Sequence, residues 1–158
     1  MLFPDLDEDA VFVRRSDGDE VLGTYSSHSF TLDGKQWSTV EHYFQAMKFK
    51  STDLELFERI RVCSSPKQAR KLGRSRFKKV RDDWPNVKRV VMTRAFYTKC
   101  RTHDNVARRL LETGERKILE SSQYDYFWGC GRDRRGENTF GKVLMDVRRK
   151  LRAEQKPT

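Results

Sequence analysis

The stretch 37–49 places a carboxylate, a carboxamide and an ammonium group at helical spacing. These groups belong to Glu41, Gln45 and Lys48, four and then three residues apart. Residues at such intervals share one face of a helix, so they form a narrow polar stripe on an otherwise apolar element. Because buried charges are costly unless they are paired or used, the stripe indicates a site. Two simpler interpretations remain: Glu41 caps its own helix, and Lys48 reaches the surface.

A second set of chemically useful residues lies near the C-terminus. Asp125 and Trp128 are three residues apart and are followed by Gly129 and Gly131. Glycines let backbone and ligand approach closely, and a carboxylate beside an indole on such a loop is typical of a ligand site. The alternative is an Asx-turn beside a packed tryptophan. A carboxylate that stabilises oxocarbenium-like charge and an aromatic wall that holds a base together suit cleavage of a glycosidic bond.

The elements that position these residues are predicted from caps, turns and apolar periodicity. Ser38 and Glu41 form a capping-box pattern that opens the central helix, and Asp33-Gly34 closes a hairpin ahead of it. Strands are predicted at 10–13 and 117–121, and further helices at 54–62, at 66–73, from Asp83, from a cap at Asp104 or Asn105 to Gly114, and at 139–153. We therefore expect one α+β domain over 1–158, mostly helical around a small antiparallel sheet.

The charge of the chain favours an anionic partner. The net charge is +10 with a pI near 9.7, and Arg and Lys are dense between Arg70 and Arg81. Nucleic acid, a phosphorylated metabolite and an acidic surface all remain open. The basic run is either a solvated face or an anion subsite, since the Arg fork suits phosphate.

Several classes of protein are excluded by composition. The three cysteines are far apart without a C-x-x-C pair, and the three histidines have no ligand spacing, so neither a disulfide framework nor a metal site is expected. No run of eighteen apolar residues is present, and the N-terminus is acidic at Asp5, Asp7, Glu8 and Asp9. We expect a soluble, cytoplasmic protein without a membrane partner, and the sequence leaves its oligomeric state open.

Three ordered blocks of the chain resemble a known family. The blocks are 37–49, 125–131 and 136–148, and each has the residue types of the corresponding motif of the NADAR superfamily, the YbiA-like N-glycosidases. The resemblance covers most of the chain. Two departures stand out: Leu22 to Tyr25 occupy the place of a Ser-Asn-Phe-like segment, and Cys130 stands where metabolic bacterial members have Asp.

The resemblance implies an N-glycosidase that hydrolyses the bond between ribose C1 and the nitrogen of a base-like group. Metabolic members act on phosphorylated ribosylaminopyrimidine intermediates of riboflavin biosynthesis and release ribose 5-phosphate. Another branch removes ADP-ribose from guanine, so nucleic acid would enter only as an ADP-ribosylated substrate. No cofactor is implied. A basic nucleic-acid-binding module without catalytic activity is the non-enzymatic alternative.

The resemblance also implies roles for individual residues. Glu41 would stabilise positive charge or activate water, and Asp125 would handle ribose hydroxyls or a proton. Lys48 would either pair with Glu41 or attack C1 as a Schiff-base nucleophile. The residues expected to bind substrate are Phe44, Gln45, Arg74, Trp84, Trp128, Gly129 and Asn138.

Overall fold

The computed structural model of the chain describes residues 9–155. The acidic residues Asp5, Asp7 and Glu8 lie outside the described residues. The elements in chain order are β1 (Val11–Val13), β2 (Phe30–Leu32), β3 (Lys35–Trp37), α1 (Val40–Met47), α2 (Leu54–Val62), α3 (Pro66–Gly73), α4 (Trp84–Thr102), α5 (Asp104–Glu112), β4 (Ile118–Glu120) and α6 (Thr139–Gln155). The predicted α+β, mostly helical fold is confirmed. None of the helices within 9–155 is long and apolar enough to cross a membrane.

Helix α1 forms the centre of the core, because all eight of its residues are buried. It packs against α2, α3 and α4, which surround it on different sides. The indole of Trp37 lies edge-on to Tyr43 at 5.0 Å and to Phe57 at 5.6 Å, and this contact ties the hairpin to α1 and α2. A helix that is buried on all sides brings its polar stripe into the interior, as the sequence predicts.

The four strands form two separate pairs. Strands β2 and β3 are antiparallel and join through the predicted Asp33-Gly34 turn, in which both residues have positive φ. Strands β1 and β4 are parallel, with Val11 opposite Ile118. The predicted antiparallel sheet is therefore confirmed for the hairpin of β2 and β3, whereas β1 and β4 are parallel. A parallel pair needs a long crossover, and here the strands are joined by most of the chain, which no local pattern reveals.

The predicted bounds of α2 and α3 match the structure, whereas α1, α5 and α6 differ from the prediction at their ends. Helix α1, predicted within 37–49, ends at Met47, and α5 ends at Glu112. Thr39, not Ser38, is the N-cap of α1 and accepts a hydrogen bond from the main-chain N–H of His42. The capping box is therefore wrong, and Glu41 is free for other partners. Helix α5 begins at Asp104, with His103 at the cap position, and α6 extends beyond 153 to Gln155.

Candidate active site

A cavity of about 120 Å³ lies where α1, α3 and α4 meet. We call it the Glu41 cavity. Its lining residues are Arg15, Glu41, Phe44, Gln45, Lys48, Arg70, Arg74, Trp84, Lys88, Met92 and Trp128. The lining contains five cationic side chains and one carboxylate, so the cavity is strongly electropositive around a single negative group.

The Glu41 carboxylate is the most constrained group in the cavity. Arg70 donates to both of its oxygens, from Nε to Oε1 at 3.0 Å and from a terminal nitrogen to Oε2 at 3.3 Å. Gln45 donates to Oε1 at 2.8 Å, and the Thr24 hydroxyl donates to Oε2 at 2.7 Å. These four hydrogen bonds come from α1, α3 and the loop before β2. They fix the orientation of a side chain that is only 2% exposed.

These partners also fix the charge of Glu41. Burial by itself would raise the pKa of the Glu41 carboxyl, but the charge and hydrogen bonds of Arg70, with Gln45 and Thr24, lower the pKa below its ordinary value. The group is therefore an ionised, immobile negative charge at neutral pH. Such a charge stabilises a developing cation better than it carries a proton, because its low basicity disfavours protonation.

Gln45 lies between Glu41 and the end of α3. Its Nε2 donates to Glu41, whereas its Oε1 is buried without a hydrogen-bond partner among the described residues. A Cβ at Gly73 would stand 2.0 Å from this oxygen, so only glycine leaves the space that the amide occupies. Gln45 thus has one unused acceptor in the cavity wall, and an unpaired buried acceptor favours a ligand that donates a hydrogen bond.

Lys48 is not the ion-pair partner of Glu41, which is one of the two roles that the sequence analysis gives it. Among the described residues Arg70 pairs with Glu41, whereas the Lys48 ammonium donates to the main-chain oxygen of Gly73 at 3.3 Å. Burial lowers the pKa of Lys48 to about 8; the charge of Glu41 opposes this shift, and Arg74, Arg70 and Lys88 add to it. At pH 7 a pKa of about 8 leaves roughly a tenth of Lys48 as the uncharged amine, far more than for a solvent-exposed lysine.

An aromatic wall closes one side of the cavity. Phe44 lies at the centre of this wall, with its ring 5.0 Å from Trp84 and 5.4 Å from Trp128. Both tryptophans are largely buried, so they also belong to the core. The structure brings together all three aromatic residues that the sequence analysis expects to bind substrate.

Asp125 is not one of the residues that line the cavity. Its Oδ1 accepts hydrogen bonds from the main-chain N–H groups of Phe127 and Trp128, which is the Asx-turn alternative. Its Oδ2 accepts a hydrogen bond from Arg15 at 2.7 Å. Burial would raise the pKa of Asp125, but Arg15 and the two main-chain donors lower it. Asp125 therefore affects the cavity indirectly, because it holds Arg15, which lines the cavity.

Gly129 and Asn138 are also not among the described residues that line the cavity. Both make structural contacts instead. A Cβ at Gly129 would stand 2.9 Å from the main-chain oxygen of Asp125, so glycine permits the close approach of the loop. The side chain of Asn138 accepts from the N–H of Glu120 and donates to the oxygen of Ile118, at 2.8 and 2.9 Å. Both are buried bonds that fix β4 to the start of α6.

The sequence does not predict an individual site role for three of the cationic lining residues. Arg70 is named only as part of the basic run, and Arg15 and Lys88 are not singled out. Lys88 follows Trp84 by four residues on α4, so helical spacing could have found it. Arg15 carries no such signal, because its partners Glu120 and Asp125 are more than 100 residues away.

The cationic side chains differ in how far the protein itself occupies them. Arg15 and Arg70 are held by carboxylates, at 3.2 Å or less. Arg74 is exposed at the end of α3, and within 9–155 its guanidinium makes no hydrogen bond or ion pair with the protein. The ammonium of Lys88 lies 3.7 Å from the centre of the Phe127 ring. Besides Lys48, whose ammonium donates to the Gly73 oxygen, Arg74 and Lys88 are thus the lining cations that remain available to an anion. Among residues 9–155, no cluster of His, Cys, Asp and Glu is arranged to hold a metal ion.

Several known proteins are similar to this chain over most of its length. The model of the NADAR domain matches residues 9–152. An N-glycosidase of Nostoc punctiforme is 40% identical over 132 residues, which are 83% of this chain and 85% of the relative. The N-glycosidase YbiA of Escherichia coli K12 is 38% identical over 144 residues, or 91% of this chain and 89% of that protein.

Two further similarities concern a larger protein and a solved structure. The chloroplastic riboflavin biosynthesis protein PYRR of Zea mays is 36% identical over 143 residues, covering 82% of this chain but 23% of that protein. The NMR structure of Escherichia coli YbiA superimposes with a TM-score of 0.80 at 34% identity, covering 94% of this chain and 90% of that one.

The first prediction separates a structural from a substrate-binding role of Asn138. Asn138→Ala should lower the free energy of unfolding by about 2–4 kcal/mol, because two buried hydrogen bonds are lost and their main-chain partners are left unpaired. Urea unfolding measures this. Asn138 has a φ of 52°, so Asn138→Gly, which tolerates that conformation, serves as the control for backbone strain. Wild-type stability in both variants would contradict the structural role.

Proposed function

The chain belongs to the NADAR family and is a hydrolase acting on N-glycosyl compounds, and from this premise we propose that it cleaves the ribose C1–N bond of phosphorylated ribosylaminopyrimidine intermediates of riboflavin biosynthesis. The observation that carries the proposal is the ionised Glu41 held in a cavity whose other lining residues are mostly cations and aromatic rings. In the reaction the C1–N bond breaks with its electron pair moving to nitrogen, which takes a proton. Water supplies the hydroxyl at C1, and ribose 5-phosphate leaves.

Glu41 is proposed to stabilise the positive charge that develops at C1. Positive charge develops at C1 both in direct C1–N cleavage, which has an oxocarbenium-like transition state, and in ring opening to an iminium at C1. A fixed carboxylate stabilises that charge in either case without reorganisation. The partners of Glu41 favour this electrostatic role over that of a general base, because they lower its basicity. The unpaired Oε1 of Gln45 is suited to accept a hydrogen bond from a ribose hydroxyl.

The substrate phosphate is proposed to bind at Arg74 and Lys88. Both residues line the cavity, and neither has a carboxylate partner within residues 9–155. Phosphate groups are recognised by Arg and Lys through charge-assisted hydrogen bonds. The aminopyrimidine would then lie against Trp84, Phe44 and Trp128. Asp125 contributes by holding Arg15 in the wall, which is a positioning role.

Lys48 is proposed to act as a nucleophile on the ring-opened substrate. When the ribose ring opens, C1 and the aminopyrimidine nitrogen form an imine. The Lys48 amine adds to C1, and the aminopyrimidine leaves as a free amine after proton transfer. Water then hydrolyses the Lys48 imine to the aldehyde of ribose 5-phosphate and restores the amine. The lowered pKa of Lys48 and its lack of an ion pair with Glu41 support this route over a purely structural role.

The second prediction tests the substrate and the role of Glu41 together. Purified protein incubated with the phosphorylated ribosylaminopyrimidine should release the free base and ribose 5-phosphate, as followed by chromatography. ADP-ribosylated guanosine, in a parallel incubation, tests the other branch of the family. Glu41→Gln should lower kcat on the order of 10³-fold, since the fixed negative charge is lost.

A second variant removes the charge of another carboxylate held by an arginine, in a pair that is more exposed than Glu41–Arg70. Asp33 is also held by an arginine, Arg94, and by the hydroxyl of Tyr43, but it lies on the hairpin turn and outside the cavity lining. Asp33→Asn should therefore keep kcat near the wild-type value. Release of base from ADP-ribosylated guanosine alone would replace the proposed substrate, and release from neither compound would contradict the proposal.

The third prediction concerns the phosphate subsite. Arg74→Ala and Lys88→Met should each raise KM roughly tenfold to hundredfold with little change in kcat, because a charged hydrogen bond to substrate is lost. Arg76→Ala removes the same charge from an exposed position of the same basic run that does not line the cavity. If all three variants raise KM alike, the run acts only through its general field.

The fourth prediction tests the nucleophilic role of Lys48. Borohydride added during turnover should trap a covalent adduct at Lys48, located by peptide mass spectrometry. Because the free amine is the reactive form, kcat should rise with pH up to about 8 and then level off. A rate that falls above this pH would instead indicate a protonated Lys48. The absence of an adduct together with a near-normal rate for Lys48→Arg would rule out the imine.

A further inference from the structure

Lys99 on α4 is a buried cation that the reaction described above does not use. Its side chain is completely buried, and its ammonium donates to the oxygens of Val21, Gly23 and Ser26 at 2.7, 2.8 and 2.7 Å. Three acceptors satisfy the three N–H bonds of the ammonium. No ion pair with a carboxylate compensates its charge among residues 9–155. Burial lowers the pKa of Lys99 to about 7, so the ammonium form with all three donors predominates below that pH.

All three acceptors belong to one segment without regular secondary structure, residues 21–26, which we call the Thr24 loop. The segment runs close to the backbone at Arg15, where a Cβ at Gly23 would stand 2.7 Å from the carbonyl oxygen. Thr24 also donates its N–H to that oxygen at 2.8 Å. The loop is therefore held from one side by Arg15 and from the other by Lys99.

The Thr24 loop contacts the Glu41–Arg70 pair at three points. The Thr24 hydroxyl donates to Oε2 of Glu41 at 2.7 Å, and the Glu41 N–H donates to the Thr24 oxygen at 3.0 Å. The ring of Tyr25 lies 4.7 Å from the guanidinium carbon of Arg70. The two loop residues in these contacts, Thr24 and Tyr25, lie between Gly23 and Ser26, and both Gly23 and Ser26 accept hydrogen bonds from Lys99.

We propose that Lys99 is a positioning residue for catalysis, which fixes the Thr24 loop so that Thr24 completes the hydrogen-bonding shell of the Glu41 carboxylate. A neutral side chain in its place would leave the main-chain oxygens of Val21 and Gly23 unpaired, whereas the Ser26 hydroxyl would keep its hydrogen bond with His28. The loop would then rearrange to reach water. Thr24 would then no longer point at Glu41. The inference rests on the proposed role of Glu41, but the effect of Lys99 on the Glu41 carboxylate can be measured without substrate.

The first experiment therefore measures Glu41 itself by NMR. In Lys99→Met the pKa of the Glu41 carboxyl should rise, because a hydrogen bond to its charged form is lost, and exchange of the Glu41 amide hydrogen should become faster. Ser26→Ala removes one acceptor and should shift both quantities in the same direction by less. An unchanged Glu41 pKa and amide exchange in both variants would overturn the proposal, whatever the substrate proves to be.

A matched control separates positioning from general loss of stability. Arg148 on α6 is likewise a buried cation held by neutral oxygens, since it donates to Thr113 and to the main-chain oxygen of Arg116, both at 2.8 Å. It does not line the Glu41 cavity. Arg148→Met should lower stability and leave the Glu41 pKa unchanged. A Glu41 pKa that shifts equally in Arg148→Met and Lys99→Met would reduce the role of Lys99 to stability.

With an active substrate, kinetics provide the second test. Lys99→Met should lower kcat roughly tenfold or more, the worth of a hydrogen bond to a charged group, with little change in KM, since the phosphate subsite is untouched. Thr24→Val should have a similar effect. If Lys99 acts through Thr24, the double variant should be no slower than the slower single variant. Losses that multiply in the double variant would show that the two residues act independently and would overturn the proposal.

Discussion

The buried ion pair of Glu41 and Arg70 constrains the rest of this structure. A carboxylate on a helix that is buried on every side can stay ionised only if donors surround it. Here the donors come from three separate segments, so α1, α3 and the Thr24 loop must all approach the same point. Removing either partner of such a pair leaves an uncompensated charge in the interior, which ties the integrity of the site to that of the core.

Much of the local packing follows from this requirement. Gly73 has to be small because the Gln45 amide, which also donates to Glu41, occupies the space of its missing side chain. Gly23 has to be small because the Thr24 loop presses against the backbone of Arg15. Lys99 then supplies donors to loop oxygens that would otherwise be buried and unpaired. The neighbours of the ion pair are thus placed to satisfy hydrogen bonds as well as to fill volume.

The basic residues of the chain fall into groups that differ in whether a carboxylate neutralises them. Arg15 and Arg70 are neutralised by carboxylates and shape the cavity wall, whereas Arg74 and Lys88 keep their charge available at the same cavity. Others of the basic run, such as Arg81, pair with acidic neighbours on the surface. Exposed pairs of that kind contribute little to stability. The run as a whole contributes to the electropositive field, and the proposed anion subsite consists of cations that have no carboxylate partner among residues 9–155.

The sequence by itself determined the features that depend on near neighbours. Helical spacing put Glu41, Gln45 and Lys48 on one stripe, and caps and turns located α2, α3 and the Asp33-Gly34 hairpin to within a residue or two. The resemblance of three motifs led to the family. Only the tertiary structure decided which partner each buried cation meets. Arg70 rather than Lys48 pairs with Glu41, Asp125 holds Arg15, and Lys99 donates to neutral oxygens of the Thr24 loop. These partners lie between 29 and 110 residues apart in the chain. Charge attraction has no period along a sequence, so such pairings follow only from the packing that brings distant segments together.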